Sequence, residues 1–142
     1  MKIIISILLL LTCVLGRAQE TQVIDSTLVK DLDEMPQFVG GNRSWQKFIA
    51  SQMNLFPIIE QMDSTQYVDF GSKQTAILEF TVCEDGEVCD VRIVNNNKIS
   101  PAYAKEALRV MKKSPKWKPG IKNNQAVRTR FRQPIIAILE YN

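Results

Sequence analysis

The chain has 142 residues, room for one domain of ordinary size, and its 45% apolar and 23% charged residues are a globular balance that excludes wholesale disorder. It contains no histidine, which removes the commonest general base, the commonest zinc ligand and every serine–histidine or cysteine–histidine catalytic pairing. Composition alone argues against an enzyme.

The N-terminus carries the first local signal. Met1-Lys2 is a short basic start, Ile3 to Leu15 is an apolar run, and Gly16 and Ala18 place small residues at the −3 and −1 positions of a cleavage site. Residues 1–18 therefore read as a cleavable signal peptide, with Gln19 the first mature residue and an exported product. The run is shorter than the ~20 apolar residues that span a bilayer. The alternatives are lipid attachment at Cys13 or a retained membrane anchor. Cleavage would lower the net charge from +3 to +1, because the segment holds Lys2 and Arg17 and no acid. Residues 19–34 follow as an acidic, flexible leader ending in Asp31, Asp33 and Glu34, and residues 35–142 form the domain. The leader's acids read as a solvated run rather than a calcium site.

Within the domain, Gly40-Gly41-Asn42 is a breaker cluster, after which Trp45, Phe48, Ile49 and Met53 recur at helical spacing over residues 42–54. Pro57 ends that element, and residues 58–73, with Asp63-Ser64-Thr65 and Gly71, read as a loop. Ala76, Leu78, Phe80 and Val82 then alternate as the apolar face of a strand. Asp85-Gly86 turns the chain, and Val88 to Val94 returns antiparallel. Asn95-Asn96-Asn97 breaks this strand. Ser100 is a suitable N-cap and Pro101 fits the first helical position; Ala104, Ala107, Leu108 and Met111 make the buried stripe of a second helix. Pro115, Pro119 and Gly120 forbid its continuation. A last strand runs from Ala126 to Asn142, and Pro134 requires that it bend there or lie at a sheet edge. The expected fold class is α+β, a small antiparallel three-stranded sheet with two helices on one face.

Two features leave alternatives open. From Lys98 to Arg132 there are eleven Lys or Arg against Glu106 alone, whereas acids dominate from Glu20 to Asp90. Either the halves attract each other within the domain, or the basic half presents a face to an anionic partner. Nucleic acid is not expected to be that partner for an exported protein. Cys83 and Cys89 are the second feature. An even pair outside the cytosol suggests a disulfide, but across a three-residue turn they sit diagonally, with backbones ~7–8 Å apart, a long reach for a bridge. That spacing favours two reduced strand residues over a disulfide.

The residues also carry a resemblance. Ser114-Pro115-Lys116-Trp117-Lys118-Pro119-Gly120 is similar to the P-x-W-x-P-G signature of the TonB C-terminal domain family. Met35-Pro36-Gln37-Phe38 with Gly40-Gly41 resembles the opening M-P-x-F-P-G-G of these domains, with Val39 in place of the usual Pro. Phe56-Pro57, Phe80-Thr81-Val82 with Gly86 and Val88, Lys105 to Val110, and Arg132-Gln133-Pro134-Ile135 follow in the family's order over residues 35–140. In the signature itself, Pro115, Trp117, Pro119 and Gly120 read as structural, a rigid turn over a packed indole with Lys116 and Lys118 pointing outward. Gly40 and Gly41 belong to the same structural set.

The resemblance implies a non-catalytic periplasmic module that engages TonB-dependent outer-membrane transporters by capturing a short segment of them. Members that transduce energy carry a membrane anchor and a long linker. Only about 16 residues separate the signal from the domain here, so this chain is expected to bind without itself transmitting energy. Its candidate docking edge is the last strand from Val127 to Phe131, because an edge strand offers unpaired backbone groups to an extended peptide. Arg128, Arg130 and Arg132 alternate with Val127, Thr129 and Phe131 and would attract acidic residues of the partner. A cell-envelope scaffold whose basic face binds peptidoglycan or anionic lipid is the alternative role, and a homodimer is a further partner reading.

Overall fold

The computed structural model describes residues 31–140. The segment expected to be a signal peptide, Cys13 and most of the expected leader lie outside the described residues. The described chain runs β1 (Gln37–Phe38), α1 (Gly41–Gln52), α2 (Phe56–Gln61), α3 (Ser64–Phe70), β2 (Lys73–Val82), β3 (Val88–Ile93), a 3-10 turn (Asn96–Lys98), α4 (Pro101–Lys112), β4 (Trp117–Lys118), β5 (Gly120–Lys122), β6 (Gln125–Val127) and β7 (Thr129–Ile138). Strand order in the main sheet is β3-β2-β7, all antiparallel, with the ten-residue β2 in the centre.

β2 is central because its alternation is almost wholly apolar on one side: Ala76, Leu78, Phe80 and Val82 are fully buried. α4 covers that face. Pro101 starts it with a fixed φ and no unsatisfied N–H. Its buried residues are Tyr103, Ala107, Val110 and Met111, so the stripe is rotated from the expected one. Ala104 and Leu108 only flank it, because Tyr103 fills the interior and its hydroxyl donates to the Ile135 carbonyl at 2.8 Å. Burial pushes that phenol's pKa up.

Four helices stand where two were expected. The stretch read as a loop holds α2 and α3. Asp63 is the N-cap of α3, its carboxylate accepting from the Gln66 N–H at 2.9 Å, and Gly71 closes that helix at φ 72°. Pro57 lies in the first turn of α2. The turn signals were thus cap signals of short helices, whose few residues are too short a window for a 3.6 period to show. Both helices are fastened from below. Gln74, 2% exposed, donates to the Gly71 carbonyl at 3.1 Å and accepts from the Ser100 N–H at 2.7 Å, joining the end of α3 to the start of α4.

The C-terminal strand also differs from its expected span. It is divided into β6 and β7, and β6 pairs with β5 through a two-residue turn, Asn123-Asn124, both at positive φ. That pair is a hairpin signal which the reading of Pro119-Gly120 as mere breakers overlooked. The described end of the leader is not loose. The Asp33 N–H donates to the Ile121 carbonyl at 2.8 Å, and Glu34 bridges to the same residue.

Candidate functional site

The site is built around the free side of β7. The Ile77 carbonyl accepts from the Val94 N–H, and its own N–H donates to Asn95 Oδ1, so the polar groups of Ile77 point toward β3. On the other side of β2, the Leu139 N–H donates to the Ser72 carbonyl. The ladder from Lys73↔Ile138 to Val82↔Thr129 is regular. Alternation along an antiparallel pair therefore turns the backbone of Thr129, Phe131, Gln133, Ile135 and Ala137 toward β2. Arg130, Arg132, Pro134, Ile136 and Ile138 direct theirs to the open edge. Pro134 lies opposite Ile77, so its missing N–H falls on that edge and costs the sheet no bond.

Along the second half of this edge runs a groove of about 700 Å³, with the backbone of Gln133 to Ala137 on one side and Trp45, Ile49, Ala50 and Met53 of α1 on the other. It leads into a smaller recess of about 120 Å³ against Phe38, Trp117 and Phe131. At its start α1 follows β1, which pairs with β4, and its end is tied to α4. Gly40 caps its start at φ 87°. At its end, Glu106 of α4 accepts from the Asn54 N–H at 2.8 Å, and Arg109 donates to the Gln52 carbonyl at 2.6 Å. Arg109 beside it, with the Asn54 N–H, holds the Glu106 carboxyl below its ordinary range against the opposing effect of burial.

The floor between the walls is aromatic. Trp117 is 4% exposed and its ring meets those of Phe38, Trp45, Phe80 and Phe131 at centroid distances from 5.1 to 5.8 Å. Its indole N–H donates to Ser114 Oγ at 2.8 Å, and its backbone N–H donates to the Gly86 carbonyl at 2.9 Å. The hairpin tip approaches so closely that a Cβ on Gly86 would stand 2.1 Å from the Trp117 carbonyl oxygen. Only glycine fits there, at φ 86°. In the Pro-Trp-Pro-Gly turn Lys116 and Lys118 are exposed, and Lys116 lies within 4.0 Å of Asp85 and Glu87.

The opposite face of the sheet holds the arginines. Glu79, 4% exposed, accepts from Arg92 Nε at 2.9 Å, Arg132 Nε at 2.8 Å and Arg130 Nη1 at 3.2 Å. Burial alone would raise its pKa, but the hydrogen bonds from Arg132, Arg92 and Arg130 outweigh it and hold it down to about 2. Arg128 lies 3.9 Å from Glu84 and donates to Cys83 Sγ at 3.4 Å. Lys116, Lys122, Arg128, Arg130 and Arg132 of the basic segment thus meet acids of the other half, the internal arrangement that the charge asymmetry allowed, while Arg109 pairs with Glu106 inside the basic segment.

Of the six residues expected to form the docking edge, Thr129, Arg130, Phe131 and Arg132 lie on β7, whereas Val127 belongs to β6 and Arg128 to the break between the strands. Thr129 and Phe131 face inward and Arg130 and Arg132 outward, in the expected alternation. The arginines' first partner is Glu79, which the linear pattern did not reveal because it lies 51 and 53 positions away. The α1 wall was also missed. Its apolar stripe is visible in the sequence, but a stripe that lines a groove reads the same as one that fills a core.

Cys83 and Cys89 are both free, as their diagonal spacing favoured, but they are closer than that spacing suggested. Cys89 does pair with Thr81, and the Cys83 N–H donates to the Glu87 carbonyl, as the three-residue turn requires. Yet the two sulfurs are 2.7 Å apart. A bulge between Glu79 and Thr81, with Asp90 at φ 53°, adds local twist and brings the diagonal pair together. Burial, then the adjoining Cys83, pushes the Cys89 thiol up to about 11. Among the described residues no cluster of three or more His, Cys, Asp or Glu could hold a metal ion, and no helix is long and apolar enough to cross a membrane.

An open strand edge beside an apolar wall is an arrangement for holding an extended peptide, since it offers backbone partners on one side and side-chain contacts on the other. Comparison with known proteins agrees with the architecture. Residues 71–136 match the family model described as Gram-negative bacterial TonB protein C-terminal. Neither the curated proteins nor the solved structures gave a match. The matched span runs from the end of α3 through most of β7 and leaves α1 outside.

Proposed function

Residues 71–136 belong to the TonB C-terminal family, and from that premise we propose that the protein is a non-catalytic module of the cell envelope that serves a TonB-like role in transport by capturing an extended periplasmic segment of an outer-membrane transporter. The family is a protein-interaction domain rather than an enzyme, and membership implies an envelope location. The observation that carries the proposal is the open edge of β7 facing the α1 groove. An added strand would lie ~4.7–4.9 Å from β7, exchange backbone hydrogen bonds with Ile136 and donate to the Pro134 carbonyl. Its alternate side chains would turn into the groove, against Trp45, Ile49 and Met53. Gln133 to Ala137 gives about 16 Å of edge at ~3.3 Å per residue, enough for a segment of about five residues.

The parity of β7 supplies a clean test. Ile136 has an exposed side chain and an N–H on the open edge, so Ile136→Pro deletes one outward donor without touching the ladder to β2. Titrated with peptides from transporter N-termini, the folded Ile136→Pro variant is expected to bind about tenfold more weakly, the ~1.4 kcal/mol scale of one hydrogen bond. Ile136→Ala, which keeps the N–H, should change affinity little. Equal binding by all three proteins, or peptide-induced shifts confined to another surface, would refute docking at this edge. Backbone pairing should also tolerate salt. A steep loss of affinity from 50 to 500 mM salt would favour the scaffold that binds peptidoglycan or anionic lipid through basic residues. Concentration-dependent mass in sedimentation would instead favour a homodimer.

A further inference from the structure

We propose that Cys83 and Cys89 form a reversible disulfide that clips the β2–β3 hairpin and, through it, stiffens the floor of the groove. Two features of the hairpin bring the thiols together. The turn Glu84-Asp85-Gly86 closes with the Gly86 N–H donating to the Cys83 carbonyl at 2.9 Å and the Cys83 N–H to the Glu87 carbonyl at 2.8 Å. The bulge at the other end of the pair adds the twist that a flat ladder lacks. The sulfurs then stand 2.7 Å apart, within easy reach of the ~2.05 Å of a disulfide bond.

The chemistry is thiol–disulfide exchange. A thiolate of the pair attacks a disulfide of an oxidised donor, and a mixed disulfide forms. The second cysteine's thiolate then displaces the donor's sulfur and closes the Cys83–Cys89 bond. The two electrons and the two protons given up by the cysteines end on the donor's sulfurs, so the donor departs as a dithiol or as two thiols. A protein disulfide oxidant or an oxidised low-molecular-weight thiol meets that need. Reversal requires a reduced thiol of the same class.

The consequence reaches the groove through one contact. The Gly86 carbonyl accepts the Trp117 N–H, and the fit between Gly86 and the Trp117 carbonyl leaves no space for a methyl group. Opening the hairpin therefore breaks the bond that seats Trp117, and closing the clip suppresses that opening. Arg128 marks the link to the docking strand, since it donates to Cys83 Sγ immediately before β7 begins.

A single tryptic peptide, Gln74 to Arg92, contains both cysteines and no internal Lys or Arg. The full chain is equilibrated with reduced or oxidised glutathione, denatured, alkylated and digested. The expected result is that this peptide takes two alkyl groups after reduction and none after oxidation, where it is also lighter by two hydrogens. In the oxidised protein, hydrogen exchange at the Trp117 amide should slow at least fivefold relative to the reduced one, and a Cys83→Ser, Cys89→Ser variant should show no redox dependence. Double alkylation after oxidation would overturn the disulfide. A formed disulfide with unchanged Trp117 exchange would overturn its coupling to the groove. Both readouts are independent of any transporter peptide, so their failure is distinct from failure of the docking proposal.

Discussion

The two walls of the groove are made differently. β7 contributes backbone, held in place by a ten-pair ladder to the buried β2, and lies almost wholly within the matched family span. α1 contributes side chains, is anchored at its ends and through the aromatic cluster, and precedes that span. A backbone edge accepts any extended segment that can shed its water, so it provides affinity with little discrimination. A side-chain wall rewards particular apolar residues at alternate positions and so provides selectivity. The floor around Trp117 is where the walls depend on each other.

That dependence predicts the largest effect. Trp117→Ala empties the centre of the aromatic cluster and should cost ~3–5 kcal/mol, the range for a buried aromatic. Chemical denaturation measures it, and a loss below ~1 kcal/mol would mean that the walls are supported separately. Acid probes the β7 wall next. Glu79 titrates at about 2 in the folded chain against an ordinary 4.5, a depressed carboxylate. Its stabilisation is complete above the ordinary value and is lost as pH falls from about 4.5 toward 2. That loss is on the order of 3 kcal/mol at ~1.4 per unit. Glu79→Gln should flatten the acid limb of a stability–pH curve over this window, and an unchanged limb would assign it to other carboxylates. The smallest effect belongs to the α1 wall. Glu106→Gln weakens the tie to Asn54 and Arg109 and should cost ~1 kcal/mol, with faster amide exchange at Asn54 and none of the change at β7. Equal acceleration in β7 would erase the distinction between the walls.

The region after Gly71 was the more legible. Its elements are long enough for a period to declare itself, as in the alternation of Ala76, Leu78, Phe80 and Val82. Before Gly71, only α1 reaches that length. α2 and α3 span six and seven residues, and their punctuation by Pro57, Asp63 and Gly71 reads as loop unless one knows that helices lie between. Tyr103 displaced the expected stripe of α4 for a related reason, because the value of an aromatic in the core depends on a hydrogen-bond partner, the Ile135 carbonyl, that sequence spacing does not supply.

Taken by itself, the sequence determined the fold class, the absence of histidine, the apolar face of the strand from Ala76 to Val82, and that a strand containing Pro134 must bend there or lie at a sheet edge. All of these follow from local rules of period, sterics and donor count. Only the tertiary structure decided which charges meet, which cysteines touch and which apolar stripe faces a groove. Glu79 gathers Arg92, Arg130 and Arg132 from two neighbouring strands. The sulfurs of Cys83 and Cys89 meet because a bulge twists the hairpin, and Glu106 and Arg109 hold the far end of α1. Each depends on strand twist, register and contacts between residues far apart in the chain, and a linear pattern has no term for these.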